Sequence, residues 1–472
     1  MNRSMFASFT ELLQTNRLVK SVASRLGFIL PEEQDSRLFS LLVRGATGSF
    51  AIKIASIGLG LLTSLMLARL LGVDQYGTYA YVISWIIVLG IPAGLGLSQV
   101  MIRFIVKYNS QGEWGKINGL IRYSNIAVFI VSFFIILAVY LFLQFVISDK
   151  SSSTVYSPLL IALVLLPMNS IINRNGAVLI GFHWIVLGQV PYMLVRPLVY
   201  IILIVVAWLF LRNSLGVQLI ISLNIGATAV ALIVAVYLLL KVMPSAMKES
   251  QPEYELNPWS RAAFPLMLMS GMYMINGQAD ILMLGSIKGT EFSGIYQIAN
   301  RGAGLILFVL VAVIASFAPI IVRLYVGNEI DKLQRIVTKS ARLTFLLSLP
   351  IALFLVLFGD WLLGLFGSKF VQGYTALAIL SFSQLVNVAA GAVGNILVMT
   401  GHGRDAALGV GISTLANVAL NAAFIPLWGL EGAALATGTS TILWNLILIW
   451  FVRRRIHINP TVFGNIAFGV LK

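Results

Sequence analysis

Apolar runs of about twenty residues recur from Leu41 to Val452, and that recurrence constrains this chain more than any other feature. A helix needs ~20 predominantly apolar residues to cross the hydrocarbon core of a bilayer. Strands of a membrane barrel would alternate apolar and polar residues, and these runs are continuous instead. The chain therefore reads as an all-α polytopic membrane protein. Placed on a twenty-residue ruler, the spans fall at 47–71, 78–101, 124–147, 157–180, 186–211, 217–241, 262–286, 295–322, 340–364, 374–400, 404–428 and 431–452, twelve in all.

The chain also echoes itself. LARLLGVDQYGTY begins at Leu67 and LGSIKGTEFSGIY at Leu284, an offset of 217 residues that sets Leu67, Gly72, Gly77 and Tyr79 on Leu284, Gly289, Gly294 and Tyr296, and Asp74 on Glu291. Each copy is a short glycine-bounded turn between apolar runs, so a similar hairpin is expected in each half. The only long polar linker, at 242–261, is rich in proline and charge and separates an N-terminal six-helix bundle (38–241) from a C-terminal one (262–455). With an even number of spans per half, the repeats are parallel, related by an axis along the membrane normal.

Charge placement sets the orientation. Of 32 lysines and arginines, 23 fall on the segments that share a side with both termini and 5 (Arg69, Lys150, Arg212, Lys288, Lys369) on the other, so both termini are expected in the cytoplasm. The same placement accounts for the net charge of +15 without nucleic acid. Residues 1–37 have no cleavable-signal pattern and read as a cytoplasmic tail, with either an interfacial helix or loose structure; 456–472 form a second tail. There is no cysteine, and the three histidines lie far apart, so neither thiolate chemistry, a metal centre nor any other cofactor is expected. No loop is long enough for the extracytoplasmic catalytic loops of a membrane-embedded polymerase or ligase, so the chain is not read as an enzyme. Gly94-Leu95-Gly96 lies within a span and follows no strand, which excludes a nucleotide loop. The glycines at 391–394 and 432–438 are expected to permit close helix packing, and Trp85 and Trp361 to anchor at lipid or interface.

Four cations remain within spans: Lys53, Arg174, Arg196 and Arg301. An intramembrane charge costs about 2.5–3.5 kcal/mol on insertion scales. The N-terminal half holds three of the four and no spanning carboxylate, which favours a cationic cavity, and arginine suits bidentate contact with phosphate. Lys53 shares a helical stripe with Ser49, Ser56, Gly60 and Ser64, either a wet wall or a lysine snorkelling to headgroups. Arg174 is flanked by asparagines near a span end, either binding a ligand or snorkelling to headgroups. Arg196 is the deepest, between Pro191 and Pro197, which permit a bend. Asp280, on a stripe with Tyr273, Asn276 and Gly277, and Arg301 lie at similar depths. They are either an ion pair or, for Asp280, a proton or Na⁺ coupling site.

ARLLGVDQYGTYAYV after the first span and PLMLMSGMYMINGQADILMLGSIKGTEFSGIYQIANR at the start of the second half resemble the Wzx-like polysaccharide flippases. That family sits in the multidrug/oligosaccharidyl-lipid/polysaccharide exporter superfamily, and the resemblance covers about 38–455. It implies a V-shaped, alternating-access transporter. The implied cargo is a polyprenyl-diphosphate-linked oligosaccharide, moved from the inner to the outer leaflet of a bacterial cell (inner) membrane, with polysaccharide polymerase machinery as a possible partner beside the bilayer itself. It further implies that Lys53, Arg174, Arg196 and Arg301 contact the diphosphate. The alternative within the superfamily is a drug or cation antiporter, for which spanning carboxylates in the binding lobes would be expected.

Overall fold

The computed structural model describes residues 33–146, 154–211 and 215–464. Residues 1–32 of the expected N-terminal tail, the end of the C-terminal tail, and Lys150, Arg212 and Lys472 lie outside that range. The chain divides into two units, Met1–Ser49 and Phe50–Lys472. The first contributes the helical residues 33–49; the second holds the core, the cavities and the polar clusters.

In chain order the helices are α1 (Glu33–Gly94), α2 (Leu97–Gln111), α3 (Trp114–Val146), α4 (Tyr156–Ala162), α5 (Leu165–Gly181) and α6 (Ile185–Val190), then a π turn (Pro191–Val195) leading into α7 (Arg196–Phe210). There follow α8 (Val217–Val242), α9 (Ser245–Glu249), α10 (Leu256–Ile287), α11 (Thr290–Val326), α12 (Ile330–Leu357) and α13 (Gly359–Gly364). A 3-10 turn (Ser368–Gly373), α14 (Tyr374–Ala390), α15 (Val393–Met399) and α16 (Gly403–Ile456) complete the unit. Among the described residues, nine segments are long and apolar enough to cross a membrane. Phe133, Phe134, Phe145, Ile233 and Leu415 stand exposed on their outer faces, where lipid rather than water is the compatible solvent. The protein is a multi-pass, all-α membrane protein.

Five expected spans are interrupted, the one at 340–364 by Phe358 (φ −118°, ψ 18°) between α12 and α13. The span at 78–101 ends at Gly94; Leu95 and Gly96 have φ of 50° and 66°, and α2 starts a new direction. A Cβ on Gly96 would lie 2.7 Å from the Ala263 carbonyl oxygen, so this corner is where α10 approaches α2. The span at 157–180 breaks after Ala162, with Pro167 in the first turn of α5. The span at 186–211 carries the π turn at Pro191, and the span at 374–400 breaks at Gly391, φ 82°. Gly391 thus ends a helix, and a Cβ there would meet the Pro460 carbonyl at 2.4 Å; Gly432 lets its helix approach the Phe424 carbonyl, 2.3 Å from a built Cβ. Trp361 is exposed as expected, whereas Trp85 is half-buried against Tyr81, 6.3 Å between ring centroids.

The repeated turns adopt one conformation. Gly72 (φ 71°, ψ 176°) breaks α1 as Gly289 (φ 109°, ψ 155°) separates α10 from α11, a backbone state closed to most side chains. The two turns also pack on each other: a Cβ on Gly77 would lie 2.1 Å from the Thr290 carbonyl oxygen, and one on Gly294 would lie 2.8 Å from the Gly77 Cα. Around this contact Tyr76 Oη donates to Gln297 Oε1 at 2.9 Å, Tyr81 and Ser286 hydroxyls share a bond of 2.9 Å, and Lys369 Nζ reaches both Asp74 (3.7 Å) and Glu291 (4.0 Å), the matched acids of the repeat. Arg69 Nε donates to the Leu365 carbonyl at 2.5 Å and Lys288 Nζ to that of Pro426 at 3.0 Å. Arg69, Lys288 and Lys369 thus cap helix ends or bridge acids.

The apolar core follows the same polarity. At the Gly72/Gly289 end one cluster is continuous through both halves of the sequence, including Leu67, Tyr76, Tyr79, Ile295, Tyr296 and Phe370. At the other end it is divided between a cluster built on Met101, Ile105, Leu120 and Trp259 and a separate one built on Leu333, Leu397, Leu448 and Ile458. We expect Gly77→Leu to lower the unfolding midpoint of the detergent-purified protein by several degrees, since an overpacked contact costs about 1–3 kcal/mol. An unchanged midpoint would show that the repeat contact is dispensable.

The polar linker is strapped to the start of α3. Glu253 N donates to the Gly115 carbonyl at 2.9 Å, and Asn118 Nδ2 to that of Ser250 at 3.0 Å. Glu255 accepts from Lys116 Nζ (2.8 Å) and from Tyr108 Oη (2.6 Å), which in turn accepts from Trp259 Nε1 (3.0 Å). The bond from Lys116, then that from Tyr108, holds the Glu255 carboxyl below its ordinary range. A depressed carboxyl stabilises the fold above its unfolded pKa, and that contribution is lost as pH falls through the folded value. The stability gap between wild type and Glu255→Gln should therefore be open at pH 7 and close below about pH 4, read as the difference in unfolding midpoint across a pH series.

Candidate substrate-binding site

Arg196 owes its position to the π turn. Pro191 supplies no backbone donor, and the widened turn brings Tyr192 and Arg196 onto one face, with the guanidinium carbon 5.2 Å from the centre of the tyrosine ring. Arg196 Nη2 donates to Asn224 Oδ1 at 3.0 Å, and Asn224 Nδ2 donates to Tyr79 Oη at 3.3 Å. Across from it, Arg301 Nη1 of α11 donates to the Gly60 carbonyl at 3.0 Å and to Ser64 Oγ. Arg196 and Arg301 line one cavity of about 260 Å³, together with Ser56, Gly60, Thr63, Ser64, Tyr79, Tyr192, Tyr200 and Asn224. Among the described residues no carboxylate lines it, and the hydrogen bonds of both arginines go to neutral acceptors. Two un-neutralised guanidiniums of this kind suit a multivalent oxyanion, which can accept from both.

The other candidates lie elsewhere. Ser56, Gly60 and Ser64 of the expected stripe do line the cavity, but Lys53 is one turn further along α1, exposed and outside the lining. Arg174 is buried, 5% exposed, and donates to Asn125 Oδ1, to Asn175 Oδ1 and to the Ile121 carbonyl (3.4 Å); it lines neither of the two main cavities. Its asparagine neighbours turn it inward between α3 and α5.

Asp280 and Arg301 do not pair. Asp280 is 2% exposed and receives four neutral donors: Thr437 Oγ1 (2.6 Å) and Tyr296 Oη (3.0 Å) on one oxygen, Asn421 Nδ2 (2.6 Å) and Asn417 Nδ2 (3.3 Å) on the other. The residues of its own stripe supply none of these donors: Tyr273 stacks edge-on against Trp444, and Asn276 Oδ1 is buried without a donor. Asp280 is reached from α11 and α16, across helices rather than along its own. Asn421 Oδ1 is likewise buried without a donor beside the carboxylate. A carboxylate, an orphaned amide oxygen and two hydroxyls form an oxygen-rich set suited to a hard cation or a proton. The repeat thus carries opposite polarity in its two copies, because Tyr79 faces the cationic cavity and its counterpart Tyr296 donates to Asp280.

A family model described as polysaccharide biosynthesis protein matches residues 42–325, well over half of the chain. The chain belongs to that family. A second model, MatE, matches residues 265–423, and both place the chain in the superfamily of MATE transporters and glycan flippases. It is a transporter-family protein. Among curated relatives, "Probable flippase AglR" of Haloferax volcanii is 29% identical over 39% of this chain, and that match spans only 39% of the relative's own length. An uncharacterized membrane protein of Methanocaldococcus jannaschii, MJ1068, is 22% identical over 80% of this chain and 77% of its own. Among solved structures, an inward-facing multidrug resistance MATE family transporter superimposes with a TM-score of 0.72 at 15% identity, covering 87% of this chain and 98% of that one. A superfamily transporter from Pyrococcus furiosus, described by the reverse polarity of its binding pocket, gives 0.60 at 16% identity over 88% and 95%. These likenesses establish the fold.

Their place in apolar spans singled out Arg196 and Arg301, but nothing in the sequence singled out their partners. Tyr192, Tyr200 and Asn224 have no sequence signal that separates them from packing residues. Asn417 and Asn421 did offer one, since paired asparagines four apart in an apolar span share a face and need polar company.

Proposed function

We propose that this polysaccharide-family protein is a flippase that carries a polyprenyl-diphosphate-linked oligosaccharide from the cytoplasmic to the outer leaflet for cell-surface polysaccharide synthesis. The observation that carries the reading is the shared cavity of Arg196 and Arg301, one from each half of the chain, with no carboxylate among the described residues of its lining. A diphosphate offers acceptors to both guanidiniums at once, while its lipid tail stays in the bilayer. Twelve spans in two six-helix bundles (38–241 and 262–455), arranged as a V, would rock about the Gly77–Gly294 contact, with both termini cytoplasmic. On this reading the divided core would lie on the loading side. Lys53, exposed one turn from the cavity, would meet the headgroup on entry; Arg174, turned among asparagines, would act through packing. Asp280 with Asn417, Asn421 and Thr437 would bind the driving H⁺ or Na⁺. A drug antiporter is disfavoured by the cavity's charge, since a cationic drug would face two arginines.

The test is reconstitution into vesicles of defined lipid with a fluorescent polyprenyl-diphosphate oligosaccharide, following its appearance in the opposite leaflet with and without proton and Na⁺ gradients. Gradient-dependent flipping by wild type is expected; its absence for this cargo, with export of a cationic dye instead, would overturn the reading.

A further inference from the structure

A second cavity of about 390 Å³ adjoins the cationic one, and Tyr192 lines both. Its chemistry is different. Among the described residues no charged side chain lines it; its polar groups are amides and hydroxyls, among them Ser98, Gln99, Asn173 and Ser270. Gln99 and Asn173 are exposed and line the cavity, and their side-chain amides make no hydrogen bond to another described residue. Exposed on the cavity wall with no protein partner, these amides keep their donors and acceptors open to whatever enters. Each amide offers donors and an acceptor together, which is what a sugar hydroxyl presents in return. The volume lies within the roughly 300–1,000 Å³ of small-molecule pockets, enough for a sugar ring and its substituents. Tyr192 turns one face to Arg196, and its position on both cavities puts an aromatic surface at the junction. The chamber is built from α1, α2, α5, α6 and the π turn, with only α10 from the C-terminal half, so it moves with one half.

We propose that this uncharged chamber is the glycan subsite: it receives the sugar attached directly to the diphosphate and sets which glycans are carried. The assignment rests on the diphosphate reading of the Arg196–Arg301 cavity. The diphosphate sits between the arginines, the first sugar passes over Tyr192, and Gln99 and Asn173 hydrogen-bond its hydroxyls.

The experiment measures binding of two probes to purified full-length protein: polyprenyl diphosphate without sugar and the same lipid bearing one hexose. For wild type the hexose should tighten binding about tenfold or more, the scale of a few satisfied neutral hydrogen bonds. Gln99→Leu with Asn173→Leu should erase that gain while leaving affinity for the bare lipid within about twofold, and Arg196→Ala should weaken both probes. Ser270→Leu, which fills the chamber from α10, is the second variant, with the same expected loss of the sugar gain. A full sugar gain in both chamber variants would overturn the glycan subsite and leave the diphosphate reading standing. No sugar gain in wild type would do the same. Failure of wild type to bind either lipid would overturn the diphosphate reading and the subsite with it.

Discussion

Arg196→Ala should abolish transport of the lipid-linked oligosaccharide while the protein still inserts and folds. A hydrogen bond to a charged group contributes about 1.5–3 kcal/mol, which is roughly 10- to 150-fold in affinity for each such bond removed. The alanine takes at least one of these bonds from a site built on two guanidiniums, so export should fall by about 100-fold or more. Folding survives because the partner left behind keeps other bonds: Asn224 Nδ2 donates to Tyr79 Oη, and Thr228 Oγ1 donates to the Asn224 carbonyl at 2.7 Å. Arg196→Lys retains the charge but not the planar fork, and should recover part of the rate. Arg301→Ala should match Arg196→Ala, since the headgroup needs both sides of the cavity. The measurement is the vesicle flipping rate, alongside complementation in cells and surface abundance. Wild-type flipping by Arg196→Ala would remove the basis for a diphosphate site here.

The second large effect is expected at Asp280. Asp280→Asn keeps the volume and removes the charge, so the four donors are left without an anionic acceptor but no cavity opens. Transport should then lose its response to the H⁺ or Na⁺ gradient and fall to the gradient-free rate. Asp280→Ala is harsher: it strands buried donors, each at about 1–3 kcal/mol, and should also lower the unfolding midpoint. Exchanging the two charges, Asp280→Arg with Arg301→Asp, should be null. The arginine would enter a pocket of donors, and the aspartate would place a negative charge in the cationic cavity. Retained transport in the exchanged protein would mean that the two residues act as a pair after all.

Much of the fold is legible in the sequence, for reasons of range. Spans announce themselves through length and apolarity, and the turns at Gly72 and Gly289 through glycines that the backbone demands. Breaks inside spans are harder to read. Gly94 and Gly96 permit a break around Leu95, φ 50°, but only the packing of α10 against Gly96 shows where the corner leads. The Pro191 turn is readable as a bend, yet its π geometry comes only with the packing of α7 on α8.

For the site, residue order alone shows four cations and one carboxylate within apolar spans, because the cost of a charge there depends on burial and not on partners. It also shows that cations outnumber acids in the N-terminal half. Which charges meet depends on how the helices pack. Arg196 and Arg301, 105 residues apart, share a cavity. Arg174, nearer to Arg196 in sequence, turns away into asparagines. Asp280 and Arg301 lie at similar depths on adjacent helices, yet face different neighbours. Depth follows from counting residues along a helix, but azimuth depends on how α10, α11 and α16 pack, and that is fixed by contacts between residues distant in the chain.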